Sequence, residues 1–213
     1  MGDMTETKHE SKTKLLDAAL NVIRAKGYTA TRIEDICEAA GLTKGSFFHH
    51  FKSKEDLALA AAAHWGALAD GVFVSAAYRA LPDPRDRLLG YVDFRKALLQ
   101  GELPRFTCLV GTMVQEVYET HPLIRDACDK SISDHVAGLE ADITEAMRLY
   151  GLDDAQWSAK SLALYTQAVI QGAFVLAKAK HSPEVAAASL DHLRRYLEML
   201  FIRTRTAKTS RLQ

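Results

Sequence analysis

The sequence is poor in the residues that staple small or secreted folds. It has three cysteines, Cys37, Cys108 and Cys128, an odd set without CxxC spacing. That excludes a disulfide framework and a structural zinc site, and it fits a reducing cytoplasm. Neither sign of charge is in excess, with 27 Lys plus Arg against 27 Asp plus Glu. A protein that coats nucleic acid by neutralising many phosphates is thereby excluded, and any contact with a polyanion must come from local asymmetry. The opening MGDMTETKHE lacks the apolar segment of a secretory signal, and no later run approaches the roughly 18 apolar residues of a membrane span. A soluble, cytoplasmic protein with no membrane partner is expected. HExxH pairs, phosphate loops and dinucleotide signatures are also missing, so no metal, no cofactor and no catalytic residue is expected.

What is present is a chain with 48% hydrophobic residues, ample for a real core. Strand alternation is not found. Helical periodicity is, beginning with Leu15, Leu16, Ala19, Leu20 and Ile23, an apolar stripe that ends before Gly27. Gly41, Pro82, Pro84, Gly101, Pro104, Pro122, Gly151 and Pro183 punctuate the rest, which predicts an all-α fold of about nine helices. Asp83-Pro84 and Ser182-Pro183 each place a capping side chain before a proline at the first helical position, where its missing N–H costs nothing. Two long helices are predicted near Asp154 to Lys180 and Pro183 to Arg203, followed by a frayed tail. Their apolar residues, including Ala186, Leu190, Leu193, Leu197, Leu200 and Phe201, exceed what one buried face needs, so the excess can pair with a second copy. Completion of a monomeric core is the alternative.

Residues 31 to 57, TRIEDICEAAGLTKGSFFHHFKSKEDL, are the informative segment. Thr31 to Glu34 and Ser53 to Asp56 match the capping-box pattern and mark two helix starts. Between them Gly41 can take the left-handed conformation that ends one helix, and Thr43 can cap the next. The result is helix, short turn, helix. Ile33, Ile36, Ala40, Leu42, Phe47 and Phe51 would close a small core, leaving Thr43, Lys44, Ser46, Phe48, His49 and His50 nearer the surface. Between Ala39 and Lys54 there is no acidic residue but there are three lysines, Lys44, Lys52 and Lys54, and two histidines. The helix starting at Thr43 lacks the acidic third position of its neighbours, as expected if its N-terminus approaches phosphates.

Thr31, Ile36, Ala39-Ala40-Gly41, Gly45, Phe47, His50-Phe51, Lys54 and Leu57 resemble the DNA-binding motif of the TetR family of bacterial repressors, without a gap, over roughly residues 10 to 58. The resemblance implies a helix-turn-helix domain at 1–52 and an effector-binding and dimerisation domain at 53–213. It further implies a homodimer formed through the last two helices, and a repressor that a small molecule releases from a near-palindromic double-stranded DNA operator. Thr43, Lys44, Gly45, Ser46, Phe47, Phe48 and His49 would lie nearest bases or the adjacent backbone, and Thr31, His50 and Lys54 would rest on phosphates. Phe48 stands where the family commonly has tyrosine, which removes a hydroxyl contact and predicts stacking or methyl contact instead. Cys37 stands where a small alanine is usual and reads as a space-filler.

The resemblance also places an effector cavity in the region from Trp65 to Phe174. Tyr91, Phe94, Cys108, Met113, Tyr118, Tyr165, Gln167, Gln171 and Phe174 mix apolar bulk with polar tips, as small-molecule sites do. Cys108, in FTCLVGTMVQE, sits in a context similar to TetR-type repressors that sense electrophiles or acrylate-like molecules; an inert buried thiol is the alternative. The rival class of function is a small-molecule-binding or thiol-dependent enzyme on an all-α scaffold, which would need a base within hydrogen-bond reach of Cys108.

Overall fold

A computed structural model describes residues 3–152 and 155–202; the tail beyond Arg203 lies outside the described residues. The elements in chain order are α1 (Asp3–Lys26), α2 (Ile33–Ala40), α3 (Lys44–His50), α4 (Lys54–Val74), a single 3-10 turn (Ala77–Ala80), α5 (Pro84–Ala97), α6 (Leu103–Phe106), α7 (Leu109–Val117), α8 (Pro122–Tyr150), α9 (Ala159–Lys180) and α10 (Pro183–Leu200). No strand occurs among the described residues. The described residues form ten α-helices where the sequence predicts about nine; a four-residue piece such as α6 is too short to show apolar periodicity.

Local chemistry sets most boundaries. Gly27 (φ +85°) ends α1 and Gly41 (φ +65°) ends α2, both in the left-handed region where a side chain is strained. Thr43 Oγ1 accepts from the Ser46 N–H at 3.2 Å, Ser53 Oγ from Asp56 at 3.1 Å and Asp83 Oδ1 from Arg85 at 2.9 Å. These three caps are where the sequence predicts them. Two other starts differ. The α2 cap is shifted one residue: the Arg32 N–H donates to Asp35 Oδ2 at 2.9 Å, while the Thr31 hydroxyl donates back to the Gly27 carbonyl at 2.6 Å. Two adjacent carboxylates, Glu34 and Asp35, made either register possible. At α10 the Ser182 hydroxyl bonds the Glu184 carboxylate and caps no backbone N–H. Helix α9 begins at Ala159, with Ser158 and Ser161 capping each other, later than the sequence predicts.

Two large apolar cores result, beside a small cluster of Ala173, Ala177 and Ala186. One joins α1, α2 and α3 to α4, α7 and the first part of α8 through Leu15, Ile36, Phe47, Leu57, Met113 and Ile124. The other joins α5, α6, the rest of α8, α9 and α10 through Tyr91, Ile143, Ile170, Phe174, Leu193 and Phe201. The first core crosses the 52/53 boundary expected from sequence, so motion of α4 or α7 is felt directly in the three N-terminal helices. Cys108 and Ile132 pack against both cores. The second is clamped by Asp142 on α8, which accepts from Arg79 at 2.7 Å and from Arg87 on α5 at 2.9 Å.

Contrary to the sequence expectation, α4 and α9 are each long and apolar enough to match a membrane span in length and composition. In α9 that apolarity has two uses. Leu162, Ala163, Ile170, Ala173, Phe174 and Ala177 are buried, and Leu164, Tyr165, Val175 and Leu176 form an exposed stripe along the opposite face.

Candidate DNA interface and the cavity behind it

Helix α3 is two-faced because Phe47 anchors it. Its ring is fully buried, edge-on to Phe48 at 5.2 Å and tilted against Phe51 at 5.6 Å. Phe47 therefore cannot reach a base, which corrects its assignment as a contact residue: an apolar ring one turn into a short helix is what holds that helix down. The opposite face presents Thr43, Lys44, Gly45, Phe48 and His49 to solvent, with Ser46 half-buried at its edge. Phe48 is 56% exposed. No acidic residue occupies the first turn of α3, and His49 and His50 occupy its last. The Lys44 ammonium pairs with Glu34 on α2; both are more than half exposed, so the pair is weak and readily exchanged for another anion.

The three residues assigned to phosphates fare differently. Thr31 is buried, its hydroxyl bonded to Gly27. Lys54 points inward: its Nζ donates to the carbonyls of Tyr28 and Thr31 at 3.0 Å each and lies 4.3 Å from the centre of the Tyr28 ring. Burial pushes its pKa down. Thr31 and Lys54 thus build the loop between α1 and α2 and are not free to hold DNA, because carbonyls of this one loop converge on the Lys54 ammonium, which has only donors to offer them. His50 is half-buried, its Nε2 2.7 Å from Ser11 Oγ on α1. Arg32, which sequence reasoning missed, is exposed at the start of α2; its signal would have been the true cap position.

The same loop is held from behind. Glu116 on α7 accepts from the N–H of Tyr28 at 3.0 Å and of Thr29 at 2.9 Å. Arg24, near the end of α1, donates to the carbonyls of Arg105 at 3.0 Å and Thr107 at 3.4 Å, around α6, and stacks 4.9 Å from the Trp65 ring on α4. Burial lowers its pKa to about 10, still far above neutrality. Two polar ties therefore join the three N-terminal helices to the segment α6–α7.

That segment walls a cavity of about 240 Å³ between α4, α5, α8 and α9. Of the residues expected there, Cys108, Gln167 and Phe174 line it; Gln171, with Cys108 and Phe174, lines an adjoining cavity that also reaches Glu116 and Lys178. The remaining five do not line either. Met113 is buried in the first core, with residues of the three N-terminal helices. Tyr118 is 53% exposed at the end of α7, and Tyr165 lies on the outer face of α9, 5.3 Å from the Tyr196 ring on α10. Phe94 packs on Phe73 and Tyr78, and Tyr91 sits one layer behind, its hydroxyl 2.9 Å from His135 Nε2. Composition alone cannot tell which face of a helix turns to the cavity. Sequence reasoning missed Phe73, Arg95 and His135, which do line it.

The three thiols separate by environment. Cys37 and Cys128 are buried, and burial raises both, Cys128 to about 12. Cys37 fills space, as expected. Cys108 is half-buried at the start of α7, its Sγ accepting from the Gly111 N–H at 3.4 Å, and it faces both cavities. No group of three metal-ligating side chains occurs among the described residues.

Comparison with known proteins finds matches in both parts of the chain. Residues 15–61 match the model for bacterial regulatory proteins of the tetR family, and residues 84–191 match the C-terminal domain of LmrA/YxaF-like transcriptional regulators. The chain is 44% identical over 55 residues to the HTH-type transcriptional repressor KstR2 of Rhodococcus jostii, a stretch covering 26% of this chain and only 27% of that one. It is 26% identical over 189 residues to an uncharacterised HTH-type regulator of Lactococcus lactis, covering 88% of this chain and 93% of the other. A TetR transcriptional regulator from Chloroflexus aurantiacus superposes with a TM-score of 0.77 at 24% identity, over 91% of this chain and 96% of that chain, and shows the shared fold. Because the second model alone spans half of the chain and the first covers its helix-turn-helix, this protein belongs to the TetR family of transcriptional regulators.

Proposed function

We propose that the protein is a dimeric repressor that grips a near-palindromic operator with α3 and lets go when a small molecule fills the cavity behind α6–α7. The outward face of α3, with Thr43, Lys44, Gly45, Ser46, Phe48 and His49, enters the major groove, while Arg32 and His50 sit toward phosphates. Lys44 exchanges Glu34 for DNA. Phe48, having no hydroxyl, offers stacking or contact with a thymine methyl group.

The dimer forms through α9 and α10. Leu164, Tyr165, Ala168, Gly172, Val175, Leu176 and Ala179 line one exposed face of α9, beside Ala188, Tyr196 and Met199 on α10. Apolar surface of that extent, with small residues at its middle, fits helix pairing between two copies.

The observation that carries the regulatory reading is the bonding of Glu116 to the N–H groups of Tyr28 and Thr29. Helix α7 is capped by Cys108, on the cavity wall, and near its other end Glu116 holds the loop that precedes α2. A ligand that favours a shifted α6–α7 therefore favours a different spacing of the two reading helices; only such differential affinity can move the equilibrium. The enzyme alternative gains nothing from the geometry, since the His135 Nε2 that shares the cavity with Cys108 is turned to the Tyr91 hydroxyl. Fluorescence anisotropy of a duplex taken from upstream of the gene tests the reading: compounds that bind the cavity should lower operator affinity, and affinity indifferent to every such compound contradicts it.

A further inference from the structure

Two arginines line the cavity, Arg95 on α5 and Arg105 on α6; Arg105 is exposed and Arg95 is half-buried. Arg79 and Arg87 hold Asp142, and Arg194 holds Asp93. Arg95 lines the cavity with no carboxylate within salt-bridge distance among the described residues; its guanidinium lies instead 5.2 Å from the Phe73 ring and 5.6 Å from the Phe174 ring. Among the described residues, the one acid at the cavity is Asp70, which is exposed. A second group in the same cavity also wants a partner. Gln167 is only 7% exposed, and its Oε1 is buried without a hydrogen bond. Native proteins rarely leave a buried polar atom unpaired, and a ligand is one way to pair it.

Resting on the reading of this cavity as the effector site, we propose that the effector is a small carboxylate with a flat apolar body: its carboxylate meets Arg95, its body lies among Phe73, Phe106 and Phe174, and a donor on it reaches Gln167 Oε1. A guanidinium beside two rings presents its planar fork, which matches a carboxylate two bonds at a time. Aromatic walls supply the area for the apolar body. The volume, about 240 Å³, falls below the ~300–1,000 Å³ of sites for drug-sized molecules, which limits the occupant to about one ring. His135 adds no charge of its own: burial first and the nearby Arg95 second depress its pKa to about 4, so it faces the ligand neutral.

Isothermal titration calorimetry without DNA tests this, using benzoate, benzamide and the hydroxybenzoates as probes against the full-length protein. Benzoate should bind at least tenfold tighter than benzamide. Arg95→Gln should weaken benzoate about ten- to hundredfold, the worth of a hydrogen bond to a charged group, and leave benzamide within twofold; Arg95→Lys should recover part of the loss and show that the site is intact. One hydroxybenzoate should bind tighter than benzoate, and Gln167→Leu should erase that gain. Equal affinity for benzoate and benzamide, an Arg95→Gln protein that binds benzoate normally, or no benzoate heat up to roughly 10 mM, the range of weak fragments, would each overturn the proposal. A neutral compound that binds the cavity and releases the operator also overturns it while leaving the proposed function intact. Benzoate that binds through Arg95 without changing operator affinity does the reverse.

Discussion

Gly27 and Glu116 form a pair whose coupling can be worked out in advance. At φ +85° an L-residue at position 27 is strained, by ~1–2 kcal/mol. A Cβ there would also stand 2.3 Å from Glu116 Oε1 and 3.0 Å from its Cδ, so the carboxylate must swing away. That movement breaks its bonds to the Tyr28 and Thr29 N–H groups. Hydrogen bonds to a charged group contribute ~1.5–3 kcal/mol when shielded, but Glu116 is exposed, and the freed N–H groups rehydrate; about 1–2 kcal/mol for both together is the appropriate size. Gly27→Ala alone should therefore cost about 2–4 kcal/mol and Glu116→Ala about 1–2 kcal/mol, and the double variant should cost little more than Gly27→Ala, because the bonds can be lost only once. Urea unfolding of the four proteins at one fixed concentration measures this, since dimer stability depends on concentration. Strict additivity, with a coupling below ~0.5 kcal/mol, would show that Glu116 is not anchored to the loop, and the route from cavity to α3 would lose its main link.

Other expectations follow from the same geometry. Lys44→Ala should flatten the salt dependence of operator binding by about one unit, as loss of one phosphate or base contact does, whereas Lys54→Ala, whose ammonium holds two loop carbonyls, should lower the urea midpoint and leave the salt slope unchanged. N-ethylmaleimide followed by intact-mass spectrometry should label Cys108 in the folded protein and spare the buried Cys37 and Cys128; equal labelling of all three would contradict the packing. The folded protein holds His135 near pKa 4 against an ordinary 6.5, so the unfolded chain binds the extra proton between those values and stability should fall as pH drops from about 6.5 to 4. At ~1.4 kcal/mol per unit the loss is at most about 3 kcal/mol, and His135→Gln should remove that part of the pH dependence in urea titrations at pH 7 and pH 4.5. Leu176→Glu, in the exposed stripe of α9, should halve the mass seen by sedimentation.

The architecture was legible wherever a local device sets it. Gly41, Thr43, Ser53 and Asp83 act on their own neighbours, and all four do in the fold what their residue types require. Thr31 misled because Glu34 and Asp35 both satisfy a capping pattern, and the backbone chose the second. At the interface the sequence separates α3 from its surroundings by charge, yet it cannot show that Lys54 turns inward to Tyr28 and Thr31 or that Phe47 is fully buried. The cavity is harder still. Arg95 on α5, His135 on α8 and Phe174 on α9 meet only through packing between helices far apart in sequence, and nothing in any one of those segments signals the meeting. Tyr118 and Tyr165 have the composition of ligand-binding residues and the wrong helical face.

The central claim is that two copies of α3 present the Thr43 to His49 face to one side of a duplex. Hydroxyl-radical footprinting on DNA from upstream of the gene tests it most directly. Two protected stretches about one helical turn, roughly 34 Å, apart are expected, both lost in a Lys44→Ala, Phe48→Ala protein that still folds and dimerises. A single protected stretch, or a double footprint indifferent to those substitutions, would contradict the account.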